Sequence, residues 1–166
     1  MRPQLFRFDL LSILFIISLL IFTIGSLWLI KNRFWELFIL RNSELSPNRL
    51  VRVGGSSVKV IEAKTSAEIT RGLSGRTTLL EGEGMLFYFD KPGYYAFWMP
   101  RMRFSIDIIW IGEDFRVVDI TKDVSPSTFP KMFRPGVPAK YVLEVPAGWS
   151  SKNGIRVEDF VVIENN

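Results

Sequence analysis

The sequence predicts a small α+β domain, mainly β and barrel-like, over residues 50–166, preceded by a single transmembrane helix over residues 10–30. Three observations carry this reading. Leu10 to Ile30 is an apolar run without a single charge. From Leu50 onward the chain changes to short β-branched and aromatic runs separated by Gly, Pro and Asp. Only two short stretches of that second part carry helix signals, so strands must supply most of its core. The chain has 166 residues with no cysteine and no histidine. Disulfides, thiolate chemistry, imidazole bases and the usual zinc sites are therefore excluded.

Residues 1–9 form a short tail. The span that follows would cover about 31 Å as a helix, close to the thickness of a bilayer's hydrocarbon core. Arg2 and Arg7 precede it, Lys31 and Arg33 follow it, and Trp28 and Trp35 suit an interface. A cleaved signal peptide is the rival, but Lys31-Asn32-Arg33-Phe34-Trp35-Glu36 places bulky and charged residues where cleavage needs small ones. Helical character is expected to reach about residue 40, with residues 41–49, including Ser46-Pro47, as a linker. Positive charges balance across the span, and a short leading tail favours the domain lying outside the cytoplasm. Net charge is +3 over residues 1–49 and +1 over residues 50–166. The basic excess thus sits beside the span, which suits anionic headgroups and argues against nucleic acid as a partner.

Within the domain, Val51 to Val53 and Val58 to Ile61 read as a hairpin around Gly54-Gly55. Ser66 to Arg71 reads as a short helix capped by Thr65 or Ser66 and ended near Gly72. Met85 to Phe89 and Tyr95 to Met99 are expected as strands joined by a turn at Asp90-Lys91-Pro92-Gly93. Ile106 to Ile111 and Arg116 to Thr121 form another hairpin across Gly112 to Phe115. A loop rich in Pro and Ser spans Asp123 to Pro138. Tyr141 to Val145, a short helix near Gly148 to Lys152, and Phe160 to Ile163 end the domain.

Five blocks in order carry a family resemblance: Arg71-Gly72-Leu73-Ser74-Gly75-Arg76; Glu83 to Phe87; Phe97-Trp98-Met99; Ile106-Asp107-Ile108-Ile109; and Tyr141 to Val145 with Ala147-Gly148 and Asn153-Gly154-Ile155. Over about residues 57–164 the chain resembles the DUF192 family of uncharacterised bacterial and archaeal proteins. The resemblance implies a compact β-rich fold, often secreted or membrane-attached, and no established activity. The chain departs from the family pattern at Pro100-Arg101-Met102, Ser105, Pro146 and Glu158-Asp159.

Candidate chemistry rests on a few polar residues. Asp107 shares a strand face with Ile109 and Ile111, where a carboxylate must be bonded or paired. Either main-chain amides or an arginine such as Arg71 or Arg76 satisfy it, or it is a base or ligand contact with a shifted pKa. Arg71 and Arg76, displayed on a glycine-bearing turn, suit a carboxylate or phosphate, or pair internally with Asp107 and Glu144. Tyr94, Tyr95, Phe97 and Trp98 suggest a stacking surface, but an unbroken apolar run more simply means a strand buried on both sides. Arg101 and Arg103 extend an anionic-ligand patch, lean toward a membrane surface, or sit in a solvated turn. Glu81 and Glu83 lack calcium-loop spacing, so no metal is expected, and no cofactor either.

Function on this reading is a membrane-anchored extracytoplasmic module. It contacts the bilayer through residues 10–30 and binds a small ligand or an envelope protein without catalysis. Arg71, Arg76, Trp98, Arg101 and Asp107 are the binding candidates. The alternatives are a hydrolase or lyase using the Asp107 or Glu144 carboxylate with arginine assistance, and an accessory subunit of an envelope complex.

Overall fold

A computed structural model of the chain describes residues 9–43 and 49–164, without the side chains at positions 10, 12, 13, 16 and 34–43. The expected flank at Arg2 and Arg7, the Trp35 side chain and most of the expected linker lie outside the described residues. The chain divides into two units, Met1–Leu45 and Ser46–Asn166.

Among the described residues of the first unit there is one helix, α1, over Leu10–Ser43. It continues past residue 40 into what the sequence suggested as linker. Its hydroxyls bond back to their own helix, Thr23 Oγ1 to the Leu20 carbonyl and Ser26 Oγ to the Thr23 carbonyl, both at 2.9 Å. Among the described residues no helix is long and apolar enough to cross a membrane.

The second unit is one seven-stranded sheet with the strand order β5-β4-β6-β3-β2-β1-β7. Its strands are β1 (Arg49–Val53), β2 (Ser56–Ala63), β3 (Glu83–Gly93), β4 (Ile106–Ile111), β5 (Val117–Val124), β6 (Ala139–Pro146) and β7 (Val161–Ile163). Short helices α2 (Ser66–Arg71) and α3 (Trp149–Lys152), with a 3-10 turn at Pro126–Thr128, complete it. The two hairpins form where the turn chemistry placed them: β1 pairs with β2 across Gly54-Gly55, and β4 pairs with β5 across Gly112 to Phe115. The sheet edges meet at one end. Main-chain bonds from Val117 N to the Asp159 carbonyl and from Val161 N to the Phe115 carbonyl link the start of β5 to the start of β7. A half-barrel results, with Val51, Val53, Leu86, Ile109, Leu143, Val145 and Trp149 in its apolar interior.

One expectation needs correction. Asp90 to Gly93 is no turn, because β3 runs straight through it and re-pairs at Gly93 with Ala139 after a register shift that begins beyond Tyr88. Tyr95 to Met99 is no strand either. Its one sheet-like bridge joins Phe97 to Phe133, and the segment crosses the sheet's outer face, where Phe97 packs edge-on against Phe87 and Trp110 at 4.9 and 5.4 Å. Tyr94 and Trp98 are exposed, not buried on two sides. This second layer explains β4, which is buried on both faces along its whole length.

Several local details hold that layer in place. Thr65 caps α2 in a reciprocal box with Glu68, and Gly72 takes a positive φ of 49° where the chain leaves the helix against the Phe87 ring. Gly84 lets β3 approach β6: a Cβ there would lie 2.7 Å from the Glu144 carbonyl oxygen. Ser74 Oγ then donates to the Pro100 carbonyl and Gly75 N to that of Arg101, tying the turn after α2 to the crossing segment.

Candidate functional site

Antiparallel partners share a face of the sheet. Asp107 pairs with Val145, and Ile108 pairs with Glu144. The two acids therefore project from opposite faces of neighbouring strands. Asp107 lies on the interior face with Ile109, Leu143 and Val145, whereas Glu144 lies on the outer face with Met85 and Ile108. The two carboxyls therefore do not face a common site and cannot act as a pair on one substrate.

Asp107 is fully buried and fully bonded. Its Oδ1 accepts from the main-chain N–H of Asp123 at 2.9 Å and of Gly148 at 3.2 Å, and its Oδ2 accepts from Ser150 N at 3.0 Å. The carboxylate joins β4 to the end of β5 and to the first turn of α3, closing one end of the half-barrel. Of the readings open for this residue, satisfaction by main-chain amides is the one observed.

Glu144 is the contrasting case. It is 5% exposed, its Oε2 has no hydrogen-bond partner, and burial alone pushes its carboxyl up to about 8. It borders a half-open cavity of about 280 Å³ between the sheet, the end of α2 and the crossing segment. Phe87, Phe89, Tyr95, Phe97 and Trp98 supply aromatic walls, with Tyr95 stacked on Phe89 at 3.5 Å between centroids. Thr70, Arg71 and Ser74 supply polar groups. At neutral pH the acid is largely protonated, so it offers one O–H donor and free acceptor positions to whatever enters.

Of the sequence candidates, Arg71, Trp98 and Glu144 meet at this cavity. Arg71 is exposed, at the end of α2. Arg76 lies half-buried in the turn beyond and does not line the cavity. Arg101 is exposed with a positive φ of 54° and stays outside, although its neighbours Pro100 and Met102 line it. Asp107 belongs to the other face. Sequence reasoning missed Phe87 and Phe89 as site residues; their alternation along β3 with buried Leu86 marks a second, outward set. Among the described residues no cluster of acids could hold a metal ion.

A second pocket opens where Arg49, Glu62, Lys64, Tyr88 and Tyr141 gather. Burial pushes Glu62 up, but hydrogen bonds from Tyr88 and Lys64, with the charges of Lys64 and Arg49, outweigh it and hold the carboxyl below its ordinary value. Burial and the bond to Glu62 raise the Tyr88 phenol. Glu62 thus bonds Tyr88 and pairs with Lys64 and Arg49, as in a structural network, although Arg49 Nε has no hydrogen-bond partner.

With this geometry in view, the comparisons define a class. The family model of DUF192, described as "Uncharacterized ACR", matches residues 49–163. The chain belongs to the DUF192 family. A crystal structure of a protein of unknown function from Novosphingobium aromaticivorans DSM 12444 is similar, with 33% identity, a TM-score of 0.65, and coverage of 68% of this chain and 83% of that one. A second, from Sinorhizobium meliloti 1021 and provisionally described as a transcription regulator, shares the fold at 24% identity and a TM-score of 0.66, covering 69% of this chain and 92% of that one. No curated protein matches the chain.

Proposed function

We propose that the domain is a non-catalytic small-ligand-binding module, held at the extracytoplasmic side of a membrane by its N-terminal helix, and that its ligand occupies the cavity beside Glu144. One observation carries the binding reading: a buried carboxyl without a partner faces a cavity whose walls are otherwise largely apolar. Leaving such a group unsatisfied costs about 1–3 kcal/mol, and a ligand that bonds it offsets that cost. Four of the five blocks behind the family resemblance also converge there, through Arg71, Phe87, Trp98 and Glu144 among others.

The anchor rests on the sequence. The unbroken stretch of described side chains in α1 covers residues 17–33, while the charge-free run in the sequence begins at Leu10. Described apolar side chains in it, such as Leu11, Phe15 and Phe22, are 76%, 68% and 77% exposed, and a bilayer is the solvent such a surface needs.

Binding is tested by ligand-observed NMR on the full chain in detergent, using a chemically mixed panel of small aromatic compounds. Ala96 is exposed and borders the cavity, so Ala96→Trp should abolish binding while leaving the melting temperature unchanged. A panel without hits, or hits that persist in Ala96→Trp, would refute the cavity reading. For the anchor, Glu113→Cys supplies a single thiol in an exposed hairpin. Labelling of intact cells by an impermeant reagent is expected; labelling only after lysis would overturn the outside placement.

A further inference from the structure

The cavity's lining restricts the chemistry of its occupant. Phe87, Phe89, Tyr95, Phe97 and Trp98 line the cavity, and a cation lying over the face of such a ring, within about 6 Å of its centroid, is attracted by the negative quadrupole potential there. Glu144 adds the one acid bordering the cavity, with Oε2 unengaged. A neutral or anionic ligand could take only the single O–H that the protonated acid donates, whereas a cation's N–H groups gain charge-assisted bonds to the carboxylate. The guanidinium of Arg71 is exposed, where solvent screens it. A permanently charged ligand without N–H groups would leave the Glu144 oxygens unbonded.

On the reading that this cavity is a ligand site, we infer that its occupant is a small organic ammonium ion whose N–H groups donate to Glu144 and whose apolar body lies against the aromatic walls. The volume of about 280 Å³ accommodates a compact amine. Binding couples to a proton. In the free protein the carboxyl holds its proton at neutral pH because burial raises it. The arriving ammonium stabilises the carboxylate, so the carboxylic O–H proton leaves to solvent and an ammonium–carboxylate pair remains. Charge balances: one cation enters and one proton departs. Desolvation and the charge-assisted bond strengthen the pair inside the aromatic walls.

The test compares benzylammonium with its neutral near-isostere benzyl alcohol, by titration calorimetry on the full chain in detergent at pH 7. Runs in buffers of different ionisation enthalpy count the protons released. Benzylammonium should bind at least about ten-fold tighter than benzyl alcohol and release close to one proton. Glu144→Gln should erase both the preference and the proton release. Should that variant misfold, the ratio of the two affinities on the native chain still decides. Benzyl alcohol binding as tightly as benzylammonium would overturn the ammonium assignment and leave the cavity standing as a ligand site, whereas benzylammonium binding without proton release would overturn the proton coupling. Binding of neither probe would also overturn it, and the mixed panel would then show whether the cavity binds anything at all.

Discussion

Asp107 and Glu144 sit one register step apart on paired strands β4 and β6, both almost out of reach of water at 0% and 5% exposure. By residue type and strand position they look alike. Asp107, on the interior face, meets three main-chain N–H groups, and those donors make it an integral part of the fold, binding β4 to β5 and α3. Glu144, on the outer face, meets apolar and aromatic side chains and a cavity. The comparison teaches that burial alone does not mark a functional acid. The distinction lies in whether the fold supplies the donors, and only Glu144 keeps bonding capacity to spare.

The largest expected effect removes the satisfied acid. Asp107→Ala would leave the amides of Asp123, Gly148 and Ser150 without their acceptor, and should cost about 3–5 kcal/mol in denaturant unfolding. A loss below about 1 kcal/mol would mean that water reaches those amides and would erase the contrast.

The next effect is a pH dependence. The carboxyl of Glu144 rises from an ordinary 4.5 to about 8 on folding. The folded state therefore holds the proton more tightly, and the stabilisation is complete below pH 4.5. It is lost as pH climbs toward 8, a decline of a few kcal/mol in order of magnitude. Unfolding free energies measured across that window should fall with rising pH in the native chain, and this component should vanish in Glu144→Gln. An unchanged slope in that variant would assign the effect elsewhere.

Glu144→Met exchanges an unsatisfied polar group for a flexible apolar one and should raise stability by about 1–3 kcal/mol at pH 7, while abolishing ligand binding. Stability gained as function is lost would sharpen the comparison; a destabilised variant would mean that Glu144 has unseen partners. The smallest effect is Thr65→Ala, which opens the capping box of α2 at about 1 kcal/mol. It should loosen the cavity wall next to Arg71 and leave amide exchange at Ser150 unaltered.

Much of the fold was legible where local chemistry decides it. Gly54-Gly55 and Gly112 to Phe115 placed two hairpins, and Thr65 or Ser66 as a cap placed a helix start. Local signals misled at Pro92-Gly93, where turn-forming residues lie at an irregularity within β3, and at Tyr95 to Met99, where an apolar run became a crossing layer instead of a strand. Tertiary packing against Phe87 and Trp110 decides that segment. The site was half legible. Asp107 announced itself as an acid on an apolar face, but its donors lie 16, 41 and 43 residues away in sequence. Glu144 was visible as an acid within a strand. The β4–β6 register decides that it faces away from Asp107, and no local pattern specifies that register.

The most direct test is the side-chain carboxyl titration of Glu144 in the ligand-free full chain, followed by carbon-13 NMR and assigned by its absence in Glu144→Gln. The account predicts a midpoint near 8. A midpoint near the ordinary 4.5 would mean that solvent or a donor already satisfies the group, contradicting the view that this acid awaits a ligand.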